Sequence, residues 1–199
     1  MNWLAFAETL VTLIVIVDPL GTVPVFVSLT ANRTPAQRRW AAVQSAALAG
    51  VLIAVFALFG RILLSYLNVS VQSLAIAGGL LLLLVALDMF TGRTTSQHSN
   101  VNVVLVPLAT PLLAGPGAIA AVMVLSNRHP DVAGRLGVII GVVAVVIIVA
   151  VVLLIAGLLS RVLRPALVDF LTRILALLLS AIAVQLIVDA VKTLTQSSG

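Results

Sequence analysis

The chain contains no cysteine. That excludes disulfides, thiolate metal sites and dithiol electron transfer, and it leaves the compartment open. Charge is almost as scarce: 9% of the 199 residues are charged, against 62% that are hydrophobic. A soluble domain cannot be covered with so little polar surface, so the composition places the chain in a lipid bilayer. There are 2 histidines, His98 and His129, with no partners at metal-ligand spacing, so neither a metal site nor a cofactor is expected. The chain has no His-Glu-x-x-His, no Gly-x-Ser-x-Gly and no pair of aspartates in one membrane layer, and no enzyme activity is expected of it. The first segment carries Glu8 and no basic leader, so it is expected to be retained rather than cleaved as a signal peptide. The net charge of +5 comes from arginines in short loops, where they orient the protein rather than bind nucleic acid.

What is present is apolar sequence in long runs. A spanning helix needs roughly 20 mostly apolar residues. Segments at about 4–30, 41–65, 71–90, 103–126, 136–159 and 171–191 meet that length and use nearly the whole chain. The spacing predicts an all-α integral membrane protein with six transmembrane helices and no separate soluble domain.

The first and fourth segments carry residues that do not suit a helix. Asp18-Pro19-Leu20-Gly21-Thr22-Val23-Pro24-Val25-Phe26 puts a carboxylate, two prolines and a glycine in the middle of the first segment. Thr110-Pro111-Leu112-Leu113-Ala114-Gly115-Pro116-Gly117 repeats the Pro-x4-Pro spacing in the fourth. Proline removes a backbone donor and clashes with the carbonyl four residues back, so both segments are expected to break, near 18–24 and 110–117. In hydrocarbon a break is tolerated only where protein or a water-filled cavity satisfies the freed groups.

The same residues reveal an internal repeat. Asp18-Pro19-Leu20 matches Thr110-Pro111-Leu112, Asn32-Arg33-x-Pro35 matches Asn127-Arg128-x-Pro130, and Asp88 matches Asp189. The repeats are 1–92 and 103–199, joined by a polar linker at 93–102. Each holds three spans, so the second copy must be inverted relative to the first, an arrangement of secondary transporters with broken helices at the membrane midplane. Arg33, Arg38, Arg39, Arg93, Arg161, Arg164 and Arg173 fall on one side; Arg61, Arg128, Arg135 and Lys192 fall on the other. The positive-inside rule then puts both termini outside.

The two proline-containing stretches resemble the signature stretches of the MarC family, and the resemblance covers essentially the full length, including the six-span layout. It implies a bacterial-type inner-membrane protein and a transporter of small neutral amino acids of the glycine or alanine kind. It does not imply drug efflux.

The candidate substrate site is Asp18, Pro19, Gly21, Thr22 and Pro24 from the first break, with Thr110, Pro111, Gly115, Pro116 and Gly117 from the second. Aspartate or threonine followed by proline reads as a cap opening the second half of a broken helix. Asp18 serves either that cap alone or, in addition, substrate or proton binding as the coupling residue; an ionisable group at mid-membrane is a functional candidate by default. The glycines permit close backbone approach at the breaks, with helix packing as their other use. Half-helix N-termini suit the carboxylate of a zwitterion, and Asp18 with exposed carbonyls suits its ammonium. Thr22 and Thr110 add hydroxyl contacts. Asp88 and Asp189 read as solvated residues at helix ends, Gln185 as an interior-facing neighbour of Asp189, and Gly137-x3-Gly141 as a packing motif that sets no oligomeric state.

The residues thus favour a secondary transporter coupled to H+ or Na+ that alternates access around the paired breaks. An exporter of another small metabolite or drug, a channel, and a structural membrane component are the alternatives. For topology, a reporter fused after Gly199 should be active only in its periplasmic form, and one inserted at 93–102 only in its cytoplasmic form. The reverse pattern would invert the assignment.

Overall fold

The computed structural model describes residues 2–91, 113–162 and 165–197. The elements in order are α1 (Trp3–Val17), α2 (Pro19–Leu29), α3 (Pro35–Tyr66), α4 (Val71–Thr91), α5 (Pro116–Arg128), α6 (Val132–Leu154), α7 (Ala156–Val162) and α8 (Pro165–Ser197). Among the described residues there is no strand. Among the described residues, five stretches are long and apolar enough to cross a membrane: Trp3–Val27, Pro35–Tyr66, Val71–Thr91, Val132–Leu154 and Phe170–Gln196. The expected fourth span is described only from residue 113, with α5 as its visible helix, and Thr110, Pro111 and the linker 93–102 lie outside the described residues.

Most helix starts follow from local chemistry. The Asn2 side chain accepts from the N–H groups of Leu4 and Ala5 at the start of α1, and Asp131 accepts from Gly134 at the start of α6. α3 begins earlier than the apolar run alone suggests. Thr34 and Gln37 form a reciprocal capping box with Pro35 at the first helical position. Arg38 and Arg39 therefore lie in the first turns of α3 rather than in a loop.

The first span breaks at a single residue. Asp18 adopts a left-handed conformation, φ 42° and ψ 72°, between α1 and α2. α2 then continues helically through Pro24, so the interruption is narrower than the 18–24 stretch expected. Pro116, the repeat counterpart of Pro24, instead opens α5 behind Gly115. Asp18 accepts from the Gly21 N–H in the first turn of α2, ahead of Pro24, whereas Gly115 offers no side chain to cap α5.

Many of the buried positions are small residues, while many large aliphatic and aromatic residues lie on the outside. Ala5, Ala42, Ala46, Ala118, Ala121 and Ala183 are buried, while Leu58, Phe59, Leu84, Ile147 and Leu177 are exposed. That inversion suits hydrocarbon, which drives no burial of leucine, so close backbone approach supplies the attraction. α4 packs along α8, α6 packs on both α1 and α3, and α5 packs on α4, α3 and α1. The Gly137-x3-Gly141 motif meets α1 of the same chain. A Cβ at Gly137 would lie 2.6 Å from the Asn2 carbonyl oxygen, and one at Gly141 2.8 Å from the Thr9 Cβ. Gly141→Leu should lose about 1–3 kcal/mol by overpacking, read as a lower midpoint of thermal unfolding in detergent. Val143→Leu, on the exposed face of α6, should leave the midpoint unchanged.

Candidate functional site

The site is built by the break at Asp18. A left-handed residue ends α1, and aspartate and asparagine tolerate that conformation better than other residues with a Cβ. The Asp18 N–H closes the last turn of α1 on the Ile14 carbonyl at 3.0 Å. Its carboxylate then turns to the next helix, where Oδ1 accepts from the Gly21 N–H at 3.0 Å. Its carbonyl accepts from both the Thr22 N–H, at 3.1 Å, and the Thr22 hydroxyl, at 2.9 Å. One residue thus closes the first half-helix and opens the second. The helix N-terminus it faces carries partial positive charge, which suits a carboxylate.

Asp18 is only 7% exposed, and Thr22 is buried beside it. Gly21 is part of the same unit, because a Cβ there would strike the Asp18 carboxylate. Pro19 opens α2, where its missing N–H costs nothing, and Pro24 lies on the exposed face of that helix. From the second break, Gly115 is the half-buried N-cap of α5 and Pro116 its first residue. A Cβ at Gly117 would strike Leu82 of α4, so that glycine serves a helix contact. The structure brings Asp18, Gly21 and Thr22 together directly.

The two breaks border one cavity. Val17, just before Asp18, and Leu113, just before the Gly115–Pro116 cap, line the same void together with α3 and α6. It leaves about 10 Å³ for the centre of a water-sized sphere, roughly the room that a single water needs. A carboxylate has about four acceptor sites, and the cap at Gly21 uses one, so Asp18 keeps capacity for a proton or an ammonium group.

Polar ties join the elements at the end where α1 begins. Arg128 Nη2 donates to Asp189 Oδ2 at 2.6 Å, and Gln185 Nε2 donates to Asp189 Oδ1 at 2.7 Å. His129 Nε2 and Glu8 Oε2 are 2.9 Å apart. Consecutive residues at the end of α5 therefore hold α8 and α1. Gln185 is exposed, on the surface rather than toward the interior as its spacing from Asp189 suggested. The pairing of His129 with Glu8 was missed from sequence. Glu8 carried the available signal, an ionisable residue inside an apolar helix. At the opposite end, Arg38 Nη2 donates to the Thr30 carbonyl at 3.2 Å and its guanidinium lies over Gly157 of α7.

A helical chain with several bilayer-length apolar stretches, one of them broken at a buried carboxylate, is a multi-pass integral membrane protein. It belongs to the MarC family of integral membrane proteins, whose sequence profile matches residues 3–195. It is 36% identical over 187 residues to a UPF0056 membrane protein of Methanocaldococcus jannaschii, covering 89% of this chain and 91% of the relative. It is 32% identical over 186 residues to the UPF0056 inner membrane protein YhgN of Escherichia coli K12, covering 92% of this chain and 93% of that one. No solved structure matches the chain.

The close fit of Gly21 under Asp18 generates a test. Gly21→Ala should displace the carboxylate from its N–H donor and cost about 1–3 kcal/mol by overpacking. The expected readout is a lower unfolding midpoint in detergent; an unchanged midpoint would show that the carboxylate does not need that position.

Proposed function

We propose that this protein is a secondary transporter of a small neutral amino acid of the glycine or alanine kind in the inner membrane. It works by alternating access around the two broken segments, with H+ or Na+ as the coupling ion. The observation that carries this reading is the buried Asp18 at a left-handed break inside a membrane span, bordering a cavity that the second break also lines. A buried carboxylate at this junction is an expensive way to cap a helix, because asparagine tolerates the same left-handed conformation and caps without a charge. Substrate or ion binding gives the charge a use. The MarC resemblance supplies the substrate class.

The helix packing supports two inverted repeats. α4 meets α8 and α3 meets α6, contacts that map onto themselves under exchange of the two halves, and α2 lies on α6 as α5 lies on α3. In this reading the Arg33, Arg38 and Arg39 end faces the cytoplasm, and the Arg128 and His129 end faces outward with both termini. The Arg128–Asp189 pair is more than a third exposed on its arginine and worth at most about 1 kcal/mol. A tie that weak suits an end that must open and close.

Asp18→Asn tests the reading. Asparagine accepts the left-handed conformation and still caps the helix, so folding should survive while the charge is lost. Losing a charge-assisted hydrogen bond costs about 1.5–3 kcal/mol, a roughly ten- to hundredfold loss of affinity. Uptake of radiolabelled alanine into proteoliposomes, at matched protein and across pH, should fall by that factor. Uptake equal to wild type at every pH would remove Asp18 from the mechanism.

A further inference from the structure

We infer that the first break is a cation site: it holds a positively charged group, a primary ammonium or a monovalent metal ion, and does not hold a carboxylate. This deepens the transport reading above, on which it rests for the identity of the ligand, by naming which end of a zwitterion the first break takes. The donors and acceptors left unused at the break carry it.

The donors are nearly all spent. The first turn of a helix ordinarily leaves its N–H groups unpaired, which is what makes such a turn an anion site. In α2 that turn is Pro19, Leu20, Gly21 and Thr22. Pro19 has no N–H. The Gly21 N–H donates to the Asp18 carboxylate at 3.0 Å, and the Thr22 N–H donates to the Asp18 carbonyl at 3.1 Å. The Thr22 hydroxyl is spent as well, on the carbonyls of Asp18 and Val17. That leaves the Leu20 N–H, and a single donor does not neutralise an anion. A second carboxylate would also lie beside Asp18, whose charge repels it. The substrate carboxylate expected at this half-helix N-terminus therefore has no place there.

The acceptors are in surplus. Pro19 gives the Val15 carbonyl no donor, and Pro24 gives the Leu20 carbonyl none. The Val17 carbonyl loses its helical donor because the Gly21 N–H turns to the carboxylate, and the Thr22 hydroxyl reaches it only at 3.4 Å. The last carbonyls of a helix point along its axis past its C-terminus, so those of Val15 and Val17 run toward the junction that Asp18 forms. Asp18 accepts from Gly21 on Oδ1 and keeps Oδ2. It is buried, and among the described residues no arginine, lysine or histidine pairs with it. A carboxylate so placed needs a counter-charge or a proton. Oxygen acceptors around one negative charge suit a monovalent metal ion or an ammonium group, which has several N–H groups to give.

The test is the thermal unfolding midpoint of the full chain in detergent, in an amine-free buffer at ionic strength fixed with choline chloride. Ethylamine hydrochloride supplies an ammonium without a carboxylate, choline propionate a carboxylate without an N–H donor, and sodium chloride a metal ion. Ethylamine or sodium should raise the midpoint along a saturating curve, and propionate should leave it unchanged. A rise with ethylamine alone identifies the cation as the substrate's ammonium. A rise with sodium alone identifies it as the coupling ion, and a rise with both means that one site serves both. Asp18→Asn keeps the left-handed conformation and the cap, and should weaken the effective cation by about tenfold or more. If that variant does not fold, the contrast between the cations and propionate in wild type decides alone. No response to either cation, a response to propionate, or an unchanged response in Asp18→Asn would overturn the site. A cation response in a protein that takes up no radiolabelled alanine would sink the transport reading and keep the site. Alanine uptake with no cation response would sink the site alone.

Discussion

The fold depends on one constraint: hydrocarbon supplies no hydrogen bonds, so a break in a spanning helix must satisfy its own backbone. Each unsatisfied group there costs several kcal/mol, while a left-handed residue costs about 1–2 kcal/mol. Asp18 accepts the smaller cost and removes the larger one. Its N–H, its carbonyl and its carboxylate together engage Ile14, Gly21 and Thr22. The break is therefore held by one residue, which places a carboxylate where a continuous helix would carry an aliphatic residue. Structure and candidate chemistry share the same atoms.

Around that junction the helices approach on small residues. Gly137 and Gly141 let α6 lie against α1, and Gly79 brings α4 to the Ala183 carbonyl of α8. Gly50 likewise lets α3 lie against Val146 of α6. The cavity beside the breaks is a product of this packing. Its described lining comes from α3 and α6, with Val17 and Leu113 beside the breaks.

The ends are held differently. Thr30, Arg38 and Gly157 make a close contact through a backbone carbonyl at one end; the exposed Arg128–Asp189 pair and the part-buried His129–Glu8 pair tie the other. The asymmetry has a physical basis. A guanidinium lodged against backbone loses more on separation than an exposed ion pair that water can replace.

The membrane class, the approximate places of five spans and the break in the first segment were legible in the sequence because each is a local property. The length of an apolar run is compared directly with bilayer thickness, and a proline lacks its N–H in any fold. The capping roles of Asp18 and Pro19 were equally local. That α2 continues through Pro24, while α5 starts at Pro116, was not legible, because the same Pro-x4-Pro spacing is compatible with either outcome. The partners of Gly117 and the Gly137-x3-Gly141 motif, the pairing of Glu8 with His129, and the cavity shared by Val17 and Leu113 were decided only by the tertiary structure. These are distances between residues far apart in the chain, set by how the helices cross, and no local pattern of residues encodes them.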